Sequence, residues 1–186
     1  YFDKVISYSE LNTAANQLAN ALTALGIKRG DVIGLHMPNI PQYAIAIIAI
    51  SKMGAIGTGL SPLLAPPELA HQIKDGKVKI VISLSDLAGA LAKMPEVPPS
   101  LKSVIVTGSA DFLTRAPFEC PDIKGVDVLT YLGLTDPAKE TFEQKDVHWN
   151  DTFMIQYTGG TTGKPKGAML SHRNVLHNTA QTTSIN

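Results

Sequence analysis

The sequence predicts an α/β fold, a largely parallel sheet with helices on both faces. Two observations carry this expectation. Helical and strand-length apolar patterns alternate from residue 5 to residue 109, and the strand-like runs are apolar throughout instead of every second residue. A strand buried on both faces by crossover helices reads this way, whereas a half-solvated antiparallel strand alternates.

Ser7 and Glu10 form an S-x-x-E capping box, after which Leu11, Ala14, Ala15, Leu18, Leu22 and Leu25 recur at helical spacing until Gly26. A polar turn, Lys28 to Asp31, leads into a strand at Val32 to Met37. Pro41 suits a first helical turn, the apolar helix runs through Met53, and Gly54 stops it. A strand near Ile56 to Leu60, a helix from Pro67 to Asp75, a Gly76 break and a strand at Lys79 to Ser83 follow. A short helix after Ser85 and a strand at Ser103 to Thr107 complete the alternation.

From Ala110 to Asn150, Pro117, Pro121, Gly125, Gly133 and Pro137 break the chain, leaving short apolar pieces such as Val126 to Leu129. This stretch is expected to be mostly loop. Regular structure resumes as a strand at Thr152 to Tyr157, pauses from Thr158 to Gly167, continues as a strand at Ala168 to Leu170 and enters a helix capped by Ser171.

The chain has 186 residues, 16 basic and 16 acidic side chains, and a pI near 7.1. Zero net charge argues against nucleic acid or an anionic membrane surface as partner, since both need a surplus of Lys and Arg. The longest apolar run, Tyr43 to Ile50, is far shorter than the ~20 residues that cross a bilayer, and it is expected to bury against the sheet. Neither a transmembrane segment nor a signal peptide is expected, and the lone Cys120 suits a reducing, cytoplasmic compartment. Charged residues make up 17%, below the roughly 25% usual for soluble domains, and the first residue is Tyr1 rather than Met. Both observations suggest a fragment of something larger.

The segment with the strongest chemical signal runs from Tyr157 to Gly167, with four glycines, three threonines and two lysines. Glycines let backbone N–H groups converge on an anion, threonine hydroxyls donate hydrogen bonds, and lysines supply opposing charge. The segment can cradle a polyphosphate. It is not a Walker loop, because Thr158 stands where that motif needs Gly and Pro165 where it needs Ser or Thr. Pro165 and Gly167 also discourage a helix directly after Lys164, so a hairpin between two strands is expected, with no helix dipole aimed at the anion. A Gly- and Thr-rich surface hairpin without a ligand is the plain structural alternative.

Other candidates have simpler readings. Gly57-Thr58-Gly59 is followed by Pro62 where a dinucleotide fingerprint needs its third glycine, and it is expected to be a packing turn. His36, His71, His148, His172 and His177 are dispersed, so no metal site is expected, and His172 is assigned to the turn into the last helix. Ser61 before Pro62 reads as a turn residue, and Trp149 as a core anchor between layers.

The stretch Gln156 to Asn174, QYTGGTTGKPKGAMLSHRN, resembles the phosphate-binding signature of the adenylate-forming (AMP-binding) enzymes. Its continuation, Gly167 to Asn174, is most similar to the fatty-acyl and related acyl-CoA ligases. Ile6 to Leu11, the Leu25 to Asp31 turn, Met37-Pro38-Asn39 and Leu60 to Leu64 resemble the same family in the same order. The resemblance implies that residues 1–186 are an incomplete part of the large N-terminal domain of an adenylate-forming enzyme. Within it, residues 1–109 are the alternating helix/strand region, 110–150 mostly loop, and 151–186 the phosphate-loop hairpin and following helix.

The same resemblance implies a two-step reaction. A carboxylate, expected to be a fatty acid, attacks the α-phosphorus of ATP to give acyl adenylate and pyrophosphate. The thiol of coenzyme A then displaces AMP. Thr158, Gly159, Gly160, Thr161, Thr162, Gly163, Lys164 and Lys166 would surround the β- and γ-phosphates, with Mg2+ held by residues outside this stretch. No catalytic residue or metal ligand is assigned within it. The family's aromatic-x-Thr-Glu motif, ribose-binding Asp, hinge and C-terminal catalytic Lys have no counterpart here, so the fragment alone is expected to be inactive and to need the remainder of its own chain. A carrier-protein thiol as acceptor, a non-catalytic nucleotide-binding or scaffold module, and a homo-oligomer stay open.

Overall fold

The computed structural model describes residues 1, 3–159 and 165–184. Helix α1 (Tyr8–Ala24) starts at the expected capping box: the Ser7 amide donates to Glu10 Oε2 at 2.7 Å, and the Glu10 amide donates to Ser7 Oγ at 3.2 Å. Both bonds satisfy amides that an open helix end leaves without partners. Strand β1 (Val32–His36) leads to α2 (Pro41–Met53), which opens on its proline and ends at Gly54 in the left-handed conformation, φ +66°. That backbone geometry is open to glycine with no Cβ penalty.

Strand β2 (Ile56–Gly59), α3 (Pro66–Asp75), β3 (Val78–Leu84), α4 (Ser85–Ala92) and β4 (Ser103–Thr107) follow the expected alternation. Then come β5 (Asp127–Thr130), α5 (Tyr131–Thr135), β6 (Thr152–Thr158), β7 (Lys166–Ser171) and α6 (His172–Ser184). The sheet has the order β5-β4-β3-β1-β2-β6-β7, parallel throughout except for the antiparallel β6–β7 pair.

The chain steps from β1 to β2 on one side and then returns over β1 to reach β3 on the other. Right-handed crossovers in opposite directions put their helices on opposite faces. One core accordingly joins Leu18 and Leu22 of α1, Ile45 and Ile50 of α2 and Tyr131 of α5 to Ile33, Leu35, Ile82 and Ile105 of the sheet. The other joins Leu69 and Ile73 of α3 and Leu91 of α4 to Val81, Val104 and Val106. Ile45, Ala46, Ala49 and Ile50 are fully buried, as expected for the apolar run of α2.

Three expectations are corrected. The stretch 110–150 contains a sheet strand, β5, and a short helix, α5; the strand has only four residues with polar ends, and the helix only five, too short for a period to show. Gly57, Thr58 and Gly59 are not a turn but lie within β2, where close contact with β6 removes room for side chains. Trp149 is not a core anchor: it is 61% exposed, in the turn before β6, where its carbonyl accepts from the Arg173 amide at 2.8 Å.

Candidate functional site

The expected hairpin is present. Strands β6 and β7 pair antiparallel with Thr158 opposite Lys166, Tyr157 opposite Gly167 and Gln156 opposite Ala168. Thr158 and Lys166 therefore face each other at its mouth, and Gly159 follows directly. Gly160, Thr161, Thr162, Gly163 and Lys164 lie outside the described residues. The strand-to-strand connection keeps any helix N-terminus away from this mouth, so affinity for an anion rests on loop amides, hydroxyls and ammonium groups.

Packing holds the base of the hairpin in shape. A β-carbon at Gly167 would lie 2.7 Å from Ile155 Cγ2 and 3.3 Å from Tyr157 Cζ, so the glycine lets β7 close onto these two side chains. The Tyr157 hydroxyl donates to Asp75 Oδ2 at 2.7 Å, with the Gln72 carbonyl oxygen 3.4 Å away. Burial, with the Asp75 carboxylate adding to it, holds this phenol above the ordinary tyrosine range.

Beside the mouth lies a cleft of about 680 Å3 at the C-terminal ends of β1, β2 and β6. Such carboxyl-end crevices are where open α/β sheets bind ligands. Its described lining includes Met37, Tyr43, Leu60, Gln156, Thr158 and Pro165 but no Asp, Glu, Lys, Arg or His. Gln72, 4% exposed, belongs to this wall, and its Oε1 has no hydrogen-bond partner among the described residues. At the rim, Ser61 is the expected turn residue, its Oγ accepting from the Leu63 amide at 3.2 Å. A cationic mouth next to an uncharged cleft can separate the two ends of a ligand that is polyanionic at one end and neutral at the other.

The far end of the hairpin is anchored at α6. Ser171 Oγ accepts from the Asn174 amide at 3.2 Å, and Asn174 Oδ1 accepts from the Ser171 amide at 2.9 Å, a reciprocal cap. His172 structures this turn: its amide donates to the Asp151 carbonyl at 3.1 Å and its ring centroid lies 4.8 Å from that of Phe153. Burial lowers its pKa and Asp151 opposes the shift. The other histidines lie apart from the hairpin mouth, and His36 is enclosed in the core.

The family model for AMP-binding enzymes matches residues 1–186. The chain belongs to the AMP-binding enzyme family. A long-chain-fatty-acid–CoA ligase of Salmonella typhimurium is 34% identical, the match covering 96% of this chain and 34% of the relative. The 4-coumarate–CoA ligase CCL1 of Humulus lupulus is 32% identical, covering 96% of this chain and 30% of the relative. The chain thus spans about a third of the length of these AMP-binding relatives.

Among solved structures, the anthranilate CoA ligase AuaEII in complex with anthranoyl-AMP superimposes with a TM-score of 0.82 at 28% identity, over 96% of this chain and 32% of that one. An acyl-CoA synthetase of Brucella canis has a TM-score of 0.75 at 22% identity, over 90% of this chain and 28% of that one, and shares the fold. The mostly parallel seven-stranded sheet is that of the N-terminal domain of adenylate-forming enzymes.

The residues that sequence reasoning missed are Gln72, Asp75 and the tying role of Tyr157. Their signal is three-dimensional: α3 meets β6 only after the chain has crossed the sheet.

Proposed function

We propose that this chain is the N-terminal part of an ATP-dependent acid–CoA ligase, and that its β6–β7 loop holds the β- and γ-phosphates of ATP. The observation that carries this reading is the placement of Lys166 opposite Thr158 at the mouth of a hairpin, next to an uncharged cleft at the carboxyl ends of three parallel strands. The chemistry fits. Attack of a carboxylate on the α-phosphorus expels pyrophosphate, whose negative charge grows as the bond breaks, and donors already aimed at that charge need little reorganisation.

Thr158, Gly159, Gly160, Thr161, Thr162, Gly163, Lys164 and Lys166 orient and neutralise this leaving group. Lysine suits the task, being a point charge on a flexible stem that can follow the departing phosphates. Mg2+ shares the neutralisation when bound, through ligands contributed outside this chain. The hydroxyl and amide donors fix the direction in which pyrophosphate leaves, which keeps the carboxylate and the α-phosphorus in line. The second step, displacement of AMP by the coenzyme A thiol, uses the remainder of the protein.

A fatty acid is the proposed substrate, supported by the relatives named as long-chain-fatty-acid–CoA ligases, while the 4-coumarate and anthranilate ligases mark aromatic acids as the competing class. The proposed compartment is the cytoplasm; no helix among the described residues is long and apolar enough to cross a membrane.

The test is acid-dependent ATP–pyrophosphate exchange by the full-length protein. Exchange should require a carboxylic acid, favour long-chain fatty acids over 4-coumarate and anthranilate, and fall by about tenfold or more in kcat/KM in Lys166→Ala. An exchange rate indifferent to Lys166 would remove the loop from the reaction. Acyl transfer to a carrier-protein thiol in place of coenzyme A would reassign the second step.

A further inference from the structure

We infer that Tyr157 and Asp75 are a positioning pair that fixes where the phosphate loop leaves the sheet. The inference rests on the reading of that loop as the triphosphate site and names a residue on α3 that controls it.

The need for such a tie follows from the strand pairing. The parallel ladder between β2 and β6 consists of Gly57 with Met154 and Thr58 with Ile155. Beyond Ile155, residues Gln156, Tyr157 and Thr158 pair with β7, which is itself the last strand of the sheet. The end of the hairpin that presents Thr158 and Lys166 therefore projects past the ladder that anchors it. A two-stranded projection of this kind is weakly held by its own hydrogen bonds.

Tyr157 reaches back from this projection. Its ring packs on Gly167 of the opposite strand, and its hydroxyl donates to Asp75 Oδ2 at 2.7 Å. A β-carbon at Gly76 would stand 3.4 Å from the hydroxyl oxygen, so the phenol sits in a notch kept shallow by glycine. Asp75 is the last residue of α3, where a carboxylate opposes the helix dipole. A hydrogen-bond donor brought to that position offsets the repulsion, and a bond to a charged acceptor is among the stronger kinds. Because Gln72, one turn earlier on α3, lines the cleft, the same tie sets the spacing between the cleft wall and the loop base.

A loosened base leaves the phosphate donors in place chemically but no longer aimed, and ordering them falls to the binding step. Affinity for ATP is lost more than turnover. In the full-length protein, Tyr157→Phe and Asp75→Ala should each raise the KM for MgATP about threefold to tenfold, with kcat held within about twofold and the KM for the carboxylic acid unchanged. Asp75→Asn keeps an oxygen acceptor and should recover most of the affinity lost in Asp75→Ala. The double variant Tyr157→Phe/Asp75→Ala should be no worse than either single one. Amide hydrogen exchange across residues 156–167 should quicken in Tyr157→Phe at an unchanged thermal midpoint.

The outcomes separate. If Lys166→Ala slows exchange while Tyr157→Phe and Asp75→Ala behave as the parent, the pair has no positioning role and the loop assignment stands. If all three match the parent, the loop assignment falls and the inference with it. If Tyr157→Phe lowers the thermal midpoint and depresses kcat together with both KM values, the tie is merely structural and the inference is overturned.

Discussion

A β-carbon built on Gly57 lies 2.5 Å from Met154 Sδ, so β2 and β6 meet where no side chain fits on the β2 side. The same hypothetical atom is 3.4 Å from Met154 Cε and 3.6 Å from Ile50 Cδ1, which ties this contact to the core under α2. Gly57→Ala should therefore destabilise the chain by about 1–3 kcal/mol, the usual result of overfilling a packed interior. Combining it with Met154→Ala should recover part of the loss by opening the space. Urea denaturation of the single and double variants checks this, and a Gly57→Ala midpoint equal to that of the parent refutes it. The contact matters for the site because β6 carries the loop.

His36 makes stability depend on pH. Its side chain is fully buried at the end of β1, with Nδ1 3.0 Å from Ser83 Oγ and Nε2 without a partner among the described residues. Ser83 Oγ also donates to the Leu84 carbonyl at 3.2 Å, which assigns the Nδ1–H tautomer to His36 and leaves Nε2 as a bare acceptor. Protonation would place an unsatisfied N–H in the core, and burial accordingly lowers the pKa to about 4. The unfolded chain titrates near its ordinary value of about 6.5. Between those values the unfolded state binds the extra proton, so stability falls as pH drops from about 6.5 toward 4, with a slope approaching about 1.4 kcal/mol per pH unit.

Glu10 and Asp151, both held below the ordinary carboxylate range first of all by backbone hydrogen bonds, add losses only at still lower pH. Denaturation at pH 7 and pH 5 separates the two windows. His36→Gln should flatten the upper one, and an unchanged slope in that variant would contradict the assignment.

How far the sequence reveals this structure depends on the distance between interacting residues. The capping box of Ser7 and Glu10 and the Pro41 and Gly54 ends of α2 are local signals three to a few residues deep, and they stand where their chemistry places them. The Gly- and Thr-rich hairpin was legible for the same reason: Pro165 and Gly167 decide the turn by themselves. Trp149 was not legible, because whether an aromatic residue is covered depends on which layers pass over it. Nor was the pairing of Tyr157 with Asp75, which joins residues 82 positions apart. Strand β5 escaped because a four-residue edge strand earns its identity from β4 beside it, not from its own pattern.

The segment from residue 138 to residue 145 is fastened to α1 and α2 by amide side chains. Asn20 Nδ2 donates to the carbonyls of Lys139 and Thr141 at 2.8 and 2.9 Å, and Asn16 Nδ2 to that of Glu140 at 2.8 Å. Lys52 Nζ donates to Asn12 Oδ1 and Asn16 Oδ1, both at 2.6 Å, and holds the Asn16 amide in the needed orientation. Asn20→Ala should release this strap with a global stability loss of about 1 kcal/mol. Limited proteolysis should then cut within residues 138–145 faster than in the parent, and an unaltered cleavage pattern would show that the backbone needs no such clasp.

On the proposed division of labour, this chain supplies the contacts to the phosphates, and later parts of the protein supply those to adenine and ribose. Phosphate contacts at an exposed hairpin are electrostatic and screened by salt over about 10 Å at 0.1 M ionic strength. MgATP should therefore bind residues 1–186 more weakly than the micromolar range, and inorganic tripolyphosphate should compete with it about equally, since both present the same charged tail. Raising the salt concentration should weaken both in parallel, and Lys166→Ala should abolish the heat signal of each. Isothermal calorimetry of this chain distinguishes the cases. Micromolar MgATP binding that tripolyphosphate fails to displace would mean that the cleft beside the loop reads the base itself, and the uncharged lining around Gln72 would then become the adenine pocket.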